Sequence, residues 1–320
     1  MISAYWLEKR KPYWDRLEQL VTSTGRNNVR SLAHPEITEL ALLYRQVASD
    51  LARVREDPTG GELARYLNDL LGRAHNLVYM GRRAGPAGIL RFYAVEYPQL
   101  FRRTFPNVLA AFLLFLVGAV GGFLVSLARP GFAAYLLGPK MIETIDRHQM
   151  WTQSIVTIKP LASSAIMTNN LIVCFTTFAM GITAGLGTVW LLVLNGLLFG
   201  VVNAACWNGG LLRSLWTFVA PHGVLELPAI FIAGGAGLVL ARGLLFPGEL
   251  PRGVSLARAG ALSVKMLLGT IPLLLVAGLM EGFVSPSDLP PAVKFSVSAI
   301  LGVALVFYLA RRTPSPEHGP

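Results

Sequence analysis

The sequence predicts an all-α fold: a polytopic membrane helix bundle of about six spans, an N-terminal cytoplasmic helical domain, and an interfacial elbow helix between them. High apolar content, uneven charge and helical spacing of apolar residues support this prediction. Hydrophobic residues make up 53% of the chain and charged residues only 14%, against about 25% charged residues in an average soluble domain. Residues 1–106 hold 16 of the 28 Lys and Arg residues, so the remaining two thirds are suited to lipid.

The N-terminal domain is predicted to be a small helical bundle over residues 1–87. In HPEITELALLYRQVASDLARVR and in GELARYLNDLLGRAHNLVYM, apolar residues recur every three or four positions, the spacing of one helical stripe. Turn-forming residues at 57–61 separate these two helices, and a third is expected around Trp14. The isolated His34 and His75 are expected to be structural or solvated. No apolar core typical of a signal peptide is present near residue 1, so the domain is expected in the cytoplasm.

Residues 88–106 are predicted to form an amphipathic interfacial helix. Aromatic and aliphatic residues alternate there with Arg91, Arg102 and Arg103, directly before an apolar segment. Aromatic rings suit the headgroup region, and arginines suit anionic lipid on the cytoplasmic side. A fourth helix of the N-terminal bundle is the alternative.

The transmembrane bundle is predicted over residues 107–310, and the tail 311–320 is predicted to be disordered. Each apolar segment is near the ~20 residues that a bilayer core requires. Gly185 and Gly187 are expected to form the turn between the second and third segments. The predicted spans are 107–128, 167–186, 188–207, 222–243, 265–284 and 292–310.

The distribution of basic residues predicts the orientation of the bundle. The loop 241–265 carries Arg242, Arg252, Arg258 and Lys265, whereas the short loop near Pro286 lacks such charge. Because positively charged loops remain in the cytoplasm, both termini are predicted to be cytoplasmic in a plasma (inner) membrane.

Small residues spaced by four recur in successive spans and predict close helix packing. Such pairs allow two backbones to approach where lipid provides no hydrophobic drive for association. The pairs are Gly118 with Gly122, Gly181 with Gly185, Gly196 with Gly200, and Ala233 with Gly237.

Polar residues inside the spans are predicted to collect near the outer surface. His222 and Glu226, four positions apart, share a helix face, and Pro221 is expected at the start of that helix. A carboxylate in hydrocarbon is costly without a partner, so amides from neighbouring spans are expected beside it. The predicted intramembrane cluster comprises Asn169, Asn170, Asn195, Asn203, His222 and Glu226.

Three hypotheses for this cluster remain open at this point. It could be a structural clamp between helices, or a pocket for a lipid headgroup, an ion or a proton. It could also be a metal-dependent hydrolase site in which His222 and Glu226 are joined by a third ligand. The candidates for that ligand are Glu143, Asp146 and His148.

Other functional classes find no support in the sequence. Neither a Walker loop, nor a nucleophile with a matching base, nor a dinucleotide fingerprint occurs in the required context. Cys174 and Cys206 both lie in apolar segments, so neither a disulfide framework nor a cysteine metal site is expected. The net charge of +10 is explained by anionic lipid and orientation rather than by nucleic acid. No cofactor, metal or catalytic residue is predicted.

The segment NNLIVCFTTFAMGITAGLGTVWLLVLNGLLFG, followed by PHGVLELPAIFIAGGAG, resembles the core signature of the stage II sporulation protein M family. LYRQVASDLARVR resembles the long-form bacterial members. The resemblance implies a role like that of the founding member in spore formers, which is a scaffold that brings peptidoglycan-degrading partners to the septal membrane during engulfment. Long forms tend to be encoded beside MoxR-type ATPases, von Willebrand factor type A proteins and RDD-type membrane proteins.

The resemblance implies no catalytic residue. We therefore expect an integral membrane scaffold or partner-recruiting protein of the cell envelope. Its expected partners are the lipid bilayer and other envelope membrane proteins, including a MoxR-type ATPase system, and a homo-oligomer is compatible with the sequence. The alternative is a small transporter, or a lipid- or ion-binding protein, that uses an outer-leaflet polar pocket around His222 and Glu226.

Overall fold

The computed structural model describes residues 3–24, 34–57, 60–79, 86–150 and 159–312, and this part of the chain is helical without a strand. The prediction of an all-α fold is therefore confirmed. The chain divides into two compact units, Met1–Ile89 and Leu90–Pro320. The predicted disordered tail lies outside the described residues after Arg312, and so does the side chain of His34.

In the described residues up to Tyr79, the first unit contains three helices: α1 (Ala4–Thr24), α2 (His34–Arg55) and α3 (Gly61–Tyr79). The apolar stripes predicted from the sequence face one another and form a single core. Several core side chains are less than 5% exposed: Trp14, Leu17, Leu20, Leu40, Val47, Val54, Leu67, Leu70 and Ala74.

A buried carboxylate connects α1 to α2. The side chain of Asp50 is only 2% exposed and lies 2.7 Å from the guanidinium of Arg10. The indole of Trp14 donates a second hydrogen bond to this carboxylate at 2.9 Å. A buried charge requires this kind of pairing, so these contacts fix the position of α2 against α1.

Glu18 connects α1 to α3 by accepting hydrogen bonds from Arg73 at 2.8 Å and from Tyr66 at 2.9 Å. These two donors hold the pKa of Glu18 below its ordinary value of 4.5. Burial, together with Glu18, raises the pKa of Tyr66 to about 12. Because the pKa of Glu18 is lowered by folding, its contribution to stability is present above pH 4.5 and is lost as the pH falls.

Apolar helices dominate the chain from residue 86 onward. In the described residues, five of these helices are long and apolar enough to cross a membrane. A further apolar segment, Thr168–Ile182, is shorter. The helices are α4 (Pro86–Ala128), α5 (Pro130–Leu137), α6 (Pro139–Asp146), α7 (Lys159–Ala179), α8 (Leu186–Asn208), α9 (Leu212–Leu245), α10 (Arg252–Val284) and α11 (Pro291–Ala310).

Several helices extend beyond the predicted spans. Helix α9 begins at Leu212, and Pro221, which was expected at its start, lies inside it together with Pro228. Proline is tolerated inside membrane helices because neighbouring groups satisfy the freed carbonyls. The predicted interfacial segment 88–106 is continuous with the first span through a π-helical turn at Phe92–Glu96. Its position relative to a membrane stays a prediction.

The turn between α7 and α8 lies where the two glycines predicted it. A 3-10 turn at Met180–Ile182 ends α7, and α8 begins directly after Gly185. Ala184 and Gly185 both adopt positive φ, at 55° and 84°. Glycine adopts this conformation without steric cost, so Gly185 permits the tight reversal.

Parallel helices α4 and α8 are in direct backbone contact. A Cβ atom added at Gly122 would lie 2.3 Å from the carbonyl oxygen of Leu197, far closer than two such atoms can approach. The contacts advance in the same direction along both helices. The glycines with backbone contacts of this kind are Gly118, Gly122, Gly196 and Gly200.

Helices α7 and α9 also run parallel and form a second close contact. A Cβ atom at Gly181 would lie 2.3 Å from the carbonyl oxygen of Gly237, and one at Gly185 would lie 3.0 Å from the Cβ atom of Ala241. The glycines singled out in the sequence therefore lie where helices pack closely. Those of α4 and α8 face the backbone of the other helix, and Gly181 of α7 faces Gly237 of α9. We call these two close helix contacts, α4 with α8 and α7 with α9, the seams of the bundle.

Helix α10 runs antiparallel to α9 and is bonded to its backbone. The hydroxyl of Ser255 donates to the carbonyl of Gly243, and that of Ser263 donates to the carbonyl of Ala236, both at 2.8 Å. Such hydroxyl bonds hold helices together in an apolar environment. They fix the first half of α10 along α9.

Adjacent glycines in α4 provide a matched test of this packing. We expect Gly122→Ala to destabilise the full-length protein by about 1–3 kcal/mol, because the new methyl group must displace the backbone of α8. Gly121→Ala should be neutral or slightly stabilising, because nothing lies within 4 Å of a Cβ atom there. Thermal unfolding in detergent measures both, and equal midpoints for the two variants would contradict the packing argument.

Candidate functional site

A carboxyl group inside the bundle joins α9 to α7. The Nδ2 atom of Asn170 donates a hydrogen bond of 2.7 Å to Oε1 of Glu226. Both side chains are half-buried. This contact is one of the amide-to-carboxylate bonds expected from the sequence.

A second carboxyl group, from α10, lies beside Glu226. Glu281 is only 4% exposed, and its Oε2 atom has no hydrogen-bond partner. It lies in the π-helical turn Met280–Val284, which packs against both α7 and α9, and it interacts electrostatically with Glu226. We call Asn170, Glu226 and Glu281 the carboxyl level. Its acceptors outnumber its donors.

A second polar layer lies next to the carboxyl level. Nδ1 of His222 and Oγ of Ser285 are 2.8 Å apart in a buried hydrogen bond, and the ring of Phe218 packs edge-on against the imidazole. The ammonium group of Lys294 on α11 donates to the carbonyl oxygen of Ser285 at 2.7 Å. We call His222, Ser285 and Lys294 the histidine level.

The antiparallel packing of α9 and α10 explains why there are two levels. His222 and Glu226 are four residues apart on α9. Glu281 lies on α10, and Ser285, four residues later, caps the end of that helix. Residues at this spacing share a helix face, about 6 Å apart along the axis. Two antiparallel helices therefore set His222 opposite Ser285 and Glu226 beside Glu281.

A cleft of about 530 Å³ opens beside the histidine level. Ser285 and Lys294 belong both to its lining and to the histidine level, and the mouth also carries charged residues. Its polar and charged lining residues are Arg213, Ser214, Thr217, Ser285, Ser287, Asp288 and Lys294. The buried polar layers thus adjoin an open polar surface at one end of the bundle.

The six residues of the predicted cluster do not form one site. The amides of Asn195 and Asn203 donate to carbonyls of their own helix, those of Leu191 and Phe199, at 2.7 and 2.8 Å. Asn203 also accepts a bond of 3.1 Å from the indole of Trp216 on α9. Asn169 is exposed. Only Asn170 and Glu226 of the predicted set are joined directly by a hydrogen bond.

Sequence reasoning missed Glu281, Ser285 and Lys294. Glu281 had a usable signal, because it is an ionisable residue inside the predicted span 265–284. The rule that singles out Glu226, that an acid within a span marks a site, applies to Glu281 equally. Ser285 and Lys294 had no such signal, because they lie at the ends of α10 and α11, where polar residues are ordinary.

Two of the three residues considered as a third metal ligand have other contacts. Nδ1 of His148 lies 2.9 Å from the carbonyl oxygen of Gly209, and Glu143 forms an ion pair of 2.5 Å with Arg147. Within the described part of the chain, no group of three or more His, Cys, Asp and Glu side chains is arranged to hold a metal ion.

A comparison with protein families places this geometry in a known context. A family model described as stage II sporulation protein M matches residues 111–286, more than half of the chain and the region that contains both seams and the carboxyl level. The chain belongs to the stage II sporulation protein M family. The resemblance predicted from the sequence is thereby confirmed, and the protein is a multi-pass membrane protein of that family. A second family model, described as a domain of unknown function, matches residues 4–80.

Other comparisons add one relative. An uncharacterized protein of Methanocaldococcus jannaschii is 36% identical over 74 residues, which cover 23% of this chain and 42% of that protein. The chain therefore spans less than half of that relative's length. No solved structure matches.

Two neighbouring asparagines test the contact to Glu226. We expect Asn170→Ala to destabilise the full-length protein by about 1–3 kcal/mol, because it removes the amide donor to a half-buried carboxyl group. Asn169→Ala should stay within about 0.5 kcal/mol of the wild type, because that side chain is exposed. Thermal unfolding in detergent compares the two variants, and a loss of equal size in both would contradict this assignment.

Proposed function

We propose that the protein is an integral membrane scaffold of the cell envelope that recruits partner proteins through its N-terminal unit. The observation that supports this proposal most directly is the order of the two units along the chain. A helical unit with a core of its own precedes a glycine-packed membrane bundle of the stage II sporulation protein M family. This combination suits a protein that is anchored in the membrane and presents a folded surface to others.

An apolar groove between α1 and α2 is our candidate for the recruiting surface. Leu42 is 55% exposed and Tyr13 is 40% exposed, although both belong to helices whose other faces form the core. The groove has a volume of about 540 Å³ and is flanked by the ion pair between Arg16 and Glu39. An apolar centre with a charged rim is typical of a surface for transient protein contacts.

The family resemblance suggests which partners to expect. We propose that they are other envelope membrane proteins and a MoxR-type ATPase system. Self-association of the membrane unit is a further option that a cross-linking experiment would reveal.

The arrangement of basic residues supports a plasma-membrane location with both termini in the cytoplasm. Arg103, Arg242 and Arg258 line one cleft of about 510 Å³ at the end of the bundle where α9 ends and α10 begins. The guanidinium of Arg102 donates to the backbone carbonyl of Arg311 at the end of α11. Clustered arginines at one end suit anionic lipid on the cytoplasmic face.

Leu42→Asp tests the scaffold proposal in the full-length protein. We expect it to abolish the partner cross-links formed by the wild type in native membranes, because it introduces a charge into the apolar groove. Ala52→Asp adds the same charge to an exposed position of α2 outside the groove lining and should preserve the cross-links. Cross-links that persist in Leu42→Asp would exclude the groove, and a wild type without any partner cross-link would count against a scaffold.

Cysteine accessibility tests the orientation. The two native cysteines are buried, so introduced cysteines can be read against a low background. We expect a membrane-impermeant maleimide to label Ser287→Cys in intact cells and to label Glu249→Cys only after permeabilisation. The reverse pattern would place the cleft beside Ser287 on the cytoplasmic side.

A further inference from the structure

The carboxyl level carries more negative charge than its surroundings balance. Glu281 lies close enough to Glu226 to interact with it electrostatically. Among the described residues, the hydrogen bond that reaches these carboxyl groups comes from the neutral amide of Asn170. Glu281 is 4% exposed and its Oε2 atom is unpartnered. Two neighbouring carboxylates removed from water cannot both remain charged unless a positive charge joins them.

The described part of the chain supplies no such positive charge. Neither Glu226 nor Glu281 forms an ion pair with a described Lys, Arg or His side chain. Lys294 is directed to the carbonyl of Ser285 and interacts electrostatically with Asp288 instead. His222 is bonded to Ser285, and the residues of α7 with described side chains contribute the amide of Asn170 and the thiol of Cys174, neither of them positively charged.

We propose that Glu226 and Glu281 together bind one monovalent cation, either H⁺ or Na⁺. A proton would be shared between the two carboxyl groups, and Na⁺ would be held by their oxygens, which are the ligands that hard cations prefer. Asn170 orients Glu226 for this task through its hydrogen bond. The π-helical turn of α10 provides the second carboxyl group, and turns of this type are frequent at functional sites.

The cleft beside the histidine level provides the route by which the cation enters. Ser285 lines the cleft and is one helical turn from Glu281, and His222 is one turn from Glu226. The charged residues of the cleft are Asp288, Arg213 and Lys294, so its lining carries charges of both signs. A cation that enters the cleft thus has to pass one polar layer to reach the carboxyl level.

This proposal does not depend on the scaffold function. A cation site inside the membrane unit and a recruiting surface on the N-terminal unit use different residues. Leu42→Asp should therefore leave cation binding intact, and Glu281→Gln should leave partner cross-links intact.

The first test uses dicyclohexylcarbodiimide, an apolar reagent that reacts with protonated carboxyl groups. Full-length protein in detergent is labelled in choline buffer, and mass spectrometry locates the label. We expect Glu226 or Glu281 to react several-fold faster than the exposed Glu249 of the same chain. Protection by added Na⁺ identifies a sodium site, whereas labelling that Na⁺ does not change identifies a proton site. If neither buried carboxyl group reacts faster than Glu249, the proposal is overturned.

The second test measures stability and is an independent readout of cation binding. A ligand that binds the folded state stabilises it, so the wild-type unfolding midpoint should rise with Na⁺ relative to choline, or with added protons. Glu226→Gln and Glu281→Gln should each lose this dependence, and Glu249→Gln should keep it. If Glu281→Gln does not fold, Glu226→Gln provides the same comparison. The proposal is contradicted if the unfolding midpoint of the wild type does not depend on Na⁺ or protons. It is also contradicted if that dependence persists unchanged in Glu226→Gln and in Glu281→Gln.

Discussion

Backbone contact between parallel helices is the constraint on which the membrane unit depends. The seam between α7 and α9 places Gly181 against Gly237, and Asn170 and Glu226 lie eleven residues before these two glycines. Eleven residues are three helical turns, so both positions return to the same face about 16 Å away. The glycine contact therefore sets the register that brings the amide to the carboxyl group. A larger side chain at Gly181 or Gly237 would push α7 and α9 apart, and would thereby also separate Asn170 from Glu226.

The position of α10 follows from its bonds to α9. Serine hydroxyls fix its first half to the α9 backbone, and at Gly269 it passes the ring of Tyr97, which a Cβ atom there would overlap. Beyond this point the antiparallel course of the two helices brings Glu281 to the level of Glu226. The N–H group of Ser285 then closes the π-helical turn by donating to the carbonyl of Met280. The second carboxyl group thus reaches the site through contacts that begin at Ser255, about seven helical turns earlier.

The sequence predicted the helices, the small residues at their contacts and the importance of Glu226. It did not identify which helices and side chains contact one another. Period and composition predict that Gly196 and Gly200 face a neighbour, and only the structure identifies α4 as that neighbour. His222 and Glu226 share a helix face, yet the antiparallel helix α10 leads to Ser285 beside His222 and to Glu281 near Glu226. Asn195 and Asn203 look identical to Asn170 in the sequence, but their amides bond to carbonyls one turn back. A short polar side chain inside a helix always has this local option, and the choice depends on tertiary packing.

The two polar levels differ in the balance of donors and acceptors, and this difference determines where a foreign charge is stabilised. The histidine level contains an ammonium group, an imidazole and a hydroxyl, and the carbonyl of Ser285 accepts from the ammonium. The carboxyl level contains two acids and one amide donor. Transfer of the ammonium to the acids would leave the carbonyl of Ser285 without a donor at a site that is buried from water. The chain's own ammonium group thus stays at the histidine level, and the acceptor excess one turn away is the feature that supports the proposed binding of a cation from outside the chain.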